Sequence, residues 1–122
     1  MTQTTDEAVE RIIEIVEKSI RGTLLASSSR IIEATPVDTG LLRSNWQATI
    51  SRPASGTIQS DGKAAAGRTA STQAMTETAK LQLGMNFYLT NNVQYAAWVE
   101  NNSHMVKMEM TRLASKPLVI KI

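Results

Sequence analysis

The sequence has no cysteine, a single histidine (His104) and five aromatic residues among 122. Without cysteine there is no disulfide, no cysteine nucleophile and no cysteine-based zinc site, and one histidine excludes a multi-histidine metal site within one chain. No apolar run approaches the roughly 20 residues that span a bilayer, and the first ten residues are polar and acidic, unlike a signal peptide. We therefore expect a cytoplasmic protein without a membrane partner or cofactor, and we predict that it is not an enzyme.

The composition is that of one ordinary globular domain, with 42% hydrophobic and 20% charged residues. The formal net charge is only +2, but it is unevenly distributed. Residues 1–40 carry 4 basic and 7 acidic side chains, whereas residues 41–122 carry 9 and 4. An acidic first element beside a basic remainder favours self-association or a charged partner, and an ordinary solvated surface is the alternative.

A long amphipathic helix is predicted for about residues 5–34. Thr4 and Glu7 have the spacing of a capping box, and Pro36 prevents continuation. Such a helix is about 45 Å long at 1.5 Å per residue, so we expect part of it to project or to dock on another subunit. The weakest stretch is residues 22–29, where a bend costs least. Apolar residues recur along one face at steps of three and four: Val9, Ile12, Ile13, Val16, Ile20, Leu24, Ile31 and Ile32.

Residues 35–52 are predicted to form a corner and the first strand. Asp38 or Thr39 is suited to cap a short second helix, and the alternation over residues 46–51 predicts a half-buried strand. Residues 53–68 contain three glycines and a proline without an apolar period, so they predict a long, mobile loop.

Residues 69–122 are predicted to hold a helix, a strand, a short helix and a tail. The strand over residues 82–92 has one apolar face that we expect to be buried, and the polar residues 101–103 are expected to stop the short helix. The methionine-rich segment 105–113 fits a helix or a strand, and the final LVIKI resembles an edge strand or a docking tail. The helix at the start of this region, over residues 69–81, is expected to bury one face: Ala70, Ala74, Met75, Thr78 and Leu81.

The predicted fold class is α+β, with the long N-terminal helix packed on a small, mostly antiparallel sheet and short additional helices. Glutamates 10, 14 and 17 share a helix face, but exposed charged residues on a helix usually serve solvation. We assign no catalytic, cofactor-binding or metal-binding residue. Four basic residues around the long loop are candidates for an interface or for facing DNA: Arg52, Lys63, Arg68 and Lys80.

Two segments, in this order along the chain, resemble the neck or tail-completion proteins of tailed bacteriophages. They are TPVDTGLLRSNW at residues 35–46 and YLTNNVQYAAWVENN at residues 88–102. Members of that family carry a P-V-D-T-G-x-L-R-x-S/N-W corner and a later N-N-x-x-Y-A-x-x-x-E-x-G segment. Asn102 stands where the family has its last glycine, and asparagine tolerates the left-handed conformation. The first motif is matched by Pro36, Val37, Asp38, Thr39, Gly40, Leu42, Arg43 and Trp46, and the second by Asn91, Asn92, Tyr95, Ala96 and Glu100.

The resemblance implies a structural virion protein without catalysis. It would form a ring of six or twelve copies at the head-tail junction, completing the tail and joining it to the portal-side head connector. Its other neighbour would be the tail terminator or tail tube, and DNA would pass through the lumen without sequence-specific contacts. It would be in the virion neck, and in the host cytoplasm during assembly. The alternatives are a tail terminator or head-closure protein of the same neck, and a small basic nucleic-acid-binding protein.

The motif residues also have physical interpretations of their own. Gly40 allows a close approach at the corner, and Trp46 anchors the first strand in the core. Asp38 is placed to pair with Arg43. Tyr95 and Glu100 are expected to hold the later turn against the corner, through the same arginine. The pairing of Arg43 with Glu100 is a hypothesis, because the two residues are far apart in the sequence.

Overall fold

A computed structural model describes residues 4–115 and has the α+β architecture expected from the sequence. The elements follow in the order α1 (Thr5–Ala34), α2 (Leu41–Ser44), β1 (Gln47–Ile50), α3 (Arg68–Lys80), β2 (Phe87–Thr90), α4 (Ala96–Ser103) and α5 (Met105–Ser115). The predicted LVIKI tail lies outside the described residues.

Helix α1 forms as predicted, without a break at residues 22–29. The Thr4 hydroxyl accepts a hydrogen bond from the Glu7 amide at 3.2 Å, and the Glu7 carboxylate accepts one from the Thr4 amide at 3.3 Å. This capping box satisfies two N–H groups that have no partner within the helix. At the other end Thr35 is extended, as expected of a residue before proline.

The corner after α1 depends on Gly40, which has φ +90° and precedes α2. A Cβ atom at Gly40 would lie 2.6 Å from the carbonyl oxygen of Gly62. The backbones of residues 40 and 62 are therefore too close for residue 40 to carry a side chain. The prediction that Asp38 or Thr39 is the N-cap is wrong by one or two residues. Thr39 still accepts a hydrogen bond from the Leu41 amide at 3.2 Å.

Strands β1 and β2 form a two-stranded antiparallel sheet, in which Ala48 is paired with Leu89 and Ile50 with Phe87. The second strand is shorter than predicted because residues 82–86 turn, with Gly84 at φ +93°. Leu83 and Met85 are therefore exposed rather than part of a buried face, and all four residues of β2 are only half-buried. Alternation alone did not reveal this turn.

Helix α1 packs on α3 and α5, and α3 packs on β1. The buried cluster between them contains Ile31, Ile32, Trp46, Ala70 and Met105. Helix α3 buries its small residues, as predicted, but not Met75, which is 61% exposed. Small side chains allow α3 to approach α1 and β1 closely, and a methionine on its outer flank is left in solvent.

The connection between β1 and α3 is irregular as predicted, except that Arg68 already belongs to α3. Hydrogen bonds fasten it to the body of the domain. The Asn45 side chain accepts from the Ile58 amide at 2.7 Å and donates to the Ile58 carbonyl oxygen at 3.1 Å. Hydrogen bonds from polar side chains of the corner therefore hold this connection in place, although it has no apolar period.

The last two helices differ from their predicted boundaries. Helix α4 includes residues 101–103, which were expected to stop it, and ends at His104 in the left-handed conformation at φ 55°. The left-handed residue is thus His104 and not Asn102. The methionine-rich segment is helix α5, so the strand alternative is wrong.

Candidate functional site

The two motif segments meet in space. The Asn91 side chain donates a hydrogen bond to the Leu42 carbonyl oxygen at 2.8 Å. Beside this contact, residues 36–42 together with Tyr95 and Val99 line a surface cavity of about 150 Å³. Segments separated by about fifty residues therefore form one local structure.

Arg43 binds the C-terminal end of α1. Its Nε and Nη2 atoms donate to the Thr35 carbonyl oxygen at 3.0 and 2.8 Å, and Nη2 also donates to that of Glu33 at 3.0 Å. Helix α1 has no basic residue in its own last turn, so this arginine from α2 supplies the cation that the helix dipole favours there.

The predicted pairs of Arg43 with Asp38 and Glu100 are both wrong, because no such ion pair is found among the described residues. Glu100 instead accepts hydrogen bonds from the amides of Val106 and Lys107, at 2.8 and 3.0 Å. These amides lie at the start of α5, where a carboxylate satisfies unpaired donors. The two charged residues thus act at the ends of different helices.

Trp46 is buried as expected, and its indole N–H donates to the Thr35 hydroxyl at 2.7 Å. Thr35 in turn donates to the Ile31 carbonyl oxygen at 2.7 Å and is itself fully buried. Thr35 is the centre of this cluster, which the sequence patterns did not predict. Its position directly before Pro36, at a helix end, is the only sequence signal for it.

The remaining motif residues divide into anchors and exposed side chains. Asn92 donates to the carbonyl oxygens of Ala54 and Gly56, at 2.9 and 3.0 Å, and so holds the long loop. Ala96 is half-buried, whereas five motif residues are exposed at the surface, Asn92 among them: Pro36, Asp38, Thr39, Asn92 and Tyr95.

Another carboxylate with a structural role is Asp61, which caps α3 from the long loop. It accepts from the Thr69 hydroxyl at 2.5 Å and from the Thr69 amide at 3.1 Å. The hydrogen bond from the Thr69 side chain is the main cause that lowers the pKa of Asp61 below its ordinary value. No pattern in the sequence indicated this role of Asp61.

The four basic candidates are exposed but lie on different parts of the structure. Arg68 and Lys80 are the two ends of α3, about 18 Å apart at 1.5 Å per residue. Lys80 also pairs with Glu77 at 3.3 Å. They are available to solvent, but the structure does not gather them around one point.

Two surfaces of the domain expose large apolar side chains. The first, which we call the α1 stripe, consists of Val9, Ile12, Ile13 and Val16; Val9 and Ile12 are 49% and 50% exposed. It is followed along α1 by a groove of about 290 Å³, lined by Ile20, Leu24, Leu83, Met85 and Phe87 among others.

The second, which we call the α5 face, consists of His104, Lys107, Met108, Thr111 and Arg112, and encloses a shallow cavity of about 430 Å³. Met108 is 67% exposed. Among residues 4–115 there is no group of three side chains suited to hold a metal ion. No helix of that range is long and apolar enough to cross a membrane.

Comparison with known proteins gives no relative: no protein-family model, no curated protein and no solved structure matches the chain. The resemblance of the two motifs to phage neck proteins therefore stays a prediction.

Proposed function

We propose that this chain is a structural subunit of the neck of a tailed bacteriophage. It forms a homo-oligomeric ring at the head-tail junction that completes the tail and joins it to the head connector around the DNA path. The observation that carries the proposal is the meeting of the two motif segments, linked by the bond from Asn91 to Leu42 and by the cavity that they share.

The surface of the domain supports an assembling role. A ring needs a heterologous interface, in which two different surfaces of each copy meet and the rotation closes. The α1 stripe and the α5 face are two separate exposed surfaces of this kind. The function of such a subunit is to bury interface area, and no bond is made or broken.

The expected contact with DNA is electrostatic. Arg52, Lys63, Arg68 and Lys80 are exposed on separate elements, which suits dispersed contacts with phosphates and does not suit the reading of base edges. The proposed partners are the head connector on one side and the tail terminator or tail tube on the other.

The first test is the molar mass of the purified chain, measured by light scattering over a concentration series at two salt concentrations. We expect a closed species of six or twelve copies. A chain that stays monomeric and binds duplex DNA with an affinity that falls steeply with salt contradicts the proposal and favours a nucleic-acid-binding protein.

The second test is genetic, in a phage that encodes the chain. A stop codon at Gln3 is expected to produce DNA-filled heads and separate tails, visible by electron microscopy, and supply of the intact chain in trans restores joined particles. Joined, infectious particles that lack the chain would contradict the neck role. Cross-linking of the restored particles identifies the adjacent proteins and distinguishes tail completion from tail termination or head closure.

A further inference from the structure

We propose that the α1 stripe of one copy docks on the α5 face of the next copy. This contact is heterologous, and it rests on the self-association that the proposed neck role requires. It specifies which surfaces of two copies of this chain meet and which charges face each other.

The apolar side of α1 continues beyond the body of the domain. Its second half buries Ile31 in the core, whereas Val9, Ile12 and Ile13 repeat the same three- and four-residue spacing and remain exposed. Covering an exposed apolar helix side removes its surface from water, which favours association with a partner. The first half of α1 therefore has the form of a docking helix.

The charge of this half of α1 determines what kind of surface covers it. Residues 5–20 carry five acidic and two basic side chains, and Glu10 and Glu14 share one flank of the stripe. A two-fold antiparallel pair of α1 helices would bring this acidic flank against itself, which repulsion disfavours. The complementary surface must be apolar and positively charged.

The α5 face meets this requirement. Met108 is exposed between Lys107 and Arg112, whose aliphatic stems extend the apolar area. The acidic residues of this region already have partners within the domain. The Glu109 side chain is only 7% exposed and lies between Arg30 and Arg112, at 2.9 and 3.3 Å, and Glu100 is bound to the first amides of α5.

The absence of cysteine allows a direct test of this contact. Two full-length variants, Ile12→Cys and Met108→Cys, are mixed in equal amounts, oxidised and separated without reductant. A disulfide needs Cα atoms within about 7 Å, so a linked pair reports that the two surfaces meet. We expect the mixture to give a linked dimer and each variant alone to give little. Arg11→Cys, on the opposite side of α1, is the matched control and is expected to stay unlinked with Met108→Cys.

The double variant Ile12→Cys/Met108→Cys extends the test to the whole assembly. Within one chain, α5 contacts α1 at Arg30 through Glu109, about 27 Å along the helix from Ile12 at 1.5 Å per residue, so only links between copies form. We expect a ladder of linked oligomers that ends at the copy number of the ring.

Three results overturn the contact. Efficient linking of Ile12→Cys with itself indicates a two-fold pair of α1 helices. If the mixture gives no linked dimer while light scattering reports a closed assembly, another surface forms the ring. In both cases the proposed neck role stands. A chain that is monomeric at every concentration also overturns the contact, and the neck role is then decided by the particles made without the chain.

A charge exchange provides an independent measurement. Glu10→Lys is expected to lower the association constant about two- to fivefold, the effect of an exposed ion pair, and Lys107→Glu in the same chain is expected to restore it. If each change alone lowers the association constant equally and the double variant does not restore it, the predicted orientation is contradicted.

Discussion

At the scale of single residues, the motif positions serve mainly to hold the corner together. Thr35 accepts from Trp46 through its hydroxyl and from Arg43 through its carbonyl oxygen, and Gly40 permits the chain crossing at Gly62. A buried polar cluster of this kind is stable only when each group is satisfied, so we expect substitutions here to cost more than substitutions at the surface.

The two tryptophans provide a matched pair of variants. Trp46→Phe removes the indole donor and leaves the buried Thr35 hydroxyl without it, so the free energy of unfolding is expected to fall by about 2 kcal/mol. Trp98→Phe, at a side chain that is 68% exposed, is expected to change it by less than about 0.5 kcal/mol. Urea denaturation of both variants measures the difference, and equal effects would contradict the assigned role of Trp46.

Alanine substitutions at two glycines distinguish the cost of backbone strain from the cost of a steric collision. Both Gly40 and Gly56 have positive φ, but only at Gly40 would a Cβ meet other atoms. Gly56→Ala is expected to cost roughly 1–2 kcal/mol, the penalty of a left-handed alanine, and Gly40→Ala at least about 1 kcal/mol more because of the collision with Gly62. The free energies of unfolding from urea titrations test this order.

The pH dependence of stability tests the cap at Asp61. Because its pKa is lowered in the folded state, its contribution is complete above its ordinary pKa near 3.9 and is lost as the pH falls through the folded pKa. The loss in free energy of unfolding caused by Asp61→Asn is therefore expected to be largest near neutral pH and to shrink below about pH 4. A loss that stays constant down to pH 2 would contradict the assignment.

At the scale of elements, charged side chains close helix ends that the local sequence leaves open. Arg43 binds the end of α1, Glu100 the start of α5 and Asp61 the start of α3. None of the three belongs to the helix that it caps, which is why capping patterns within one segment did not identify them.

A double-mutant cycle tests whether Arg43 and Glu100 act separately. Each variant, Arg43→Ala and Glu100→Ala, is expected to lower the free energy of unfolding by about 1–2 kcal/mol. Because the two residues share no partner, the losses should add within about 0.5 kcal/mol. A coupling energy above that value would revive the ion pair expected from the sequence.

At the scale of the whole molecule, stability and assembly depend on different ends of α1. The second half is buried against α3 and α5, whereas Val9, Ile12 and Ile13 of the α1 stripe are between 38% and 50% exposed. A helix with this division supports the fold with one half and is available to a partner with the other.

Ile12→Ser separates the two roles. It is expected to leave the free energy of unfolding of the monomer within about 0.5 kcal/mol, while light scattering shows a lower fraction of assembled chain. Ile32→Ser, at a buried position, is expected to lower stability by more than about 2 kcal/mol. Loss of stability without loss of assembly at Ile12 would contradict this division.

The sequence by itself determined the elements whose signals are local. The apolar period, the capping box at Thr4 and Glu7 and the stop at Pro36 fixed α1, because each acts within a few residues. The burial of Trp46 and the close approach of the chain at Gly40 also followed from residue type. Only the tertiary structure decided the rest. It delayed the start of β2 until after the turn around Gly84, made the methionine-rich segment a helix, and gave Arg43, Glu100 and Asp61 partners from other elements. These outcomes depend on which surfaces the folded chain brings together, and hydrogen bonds between distant residues leave no period in the sequence.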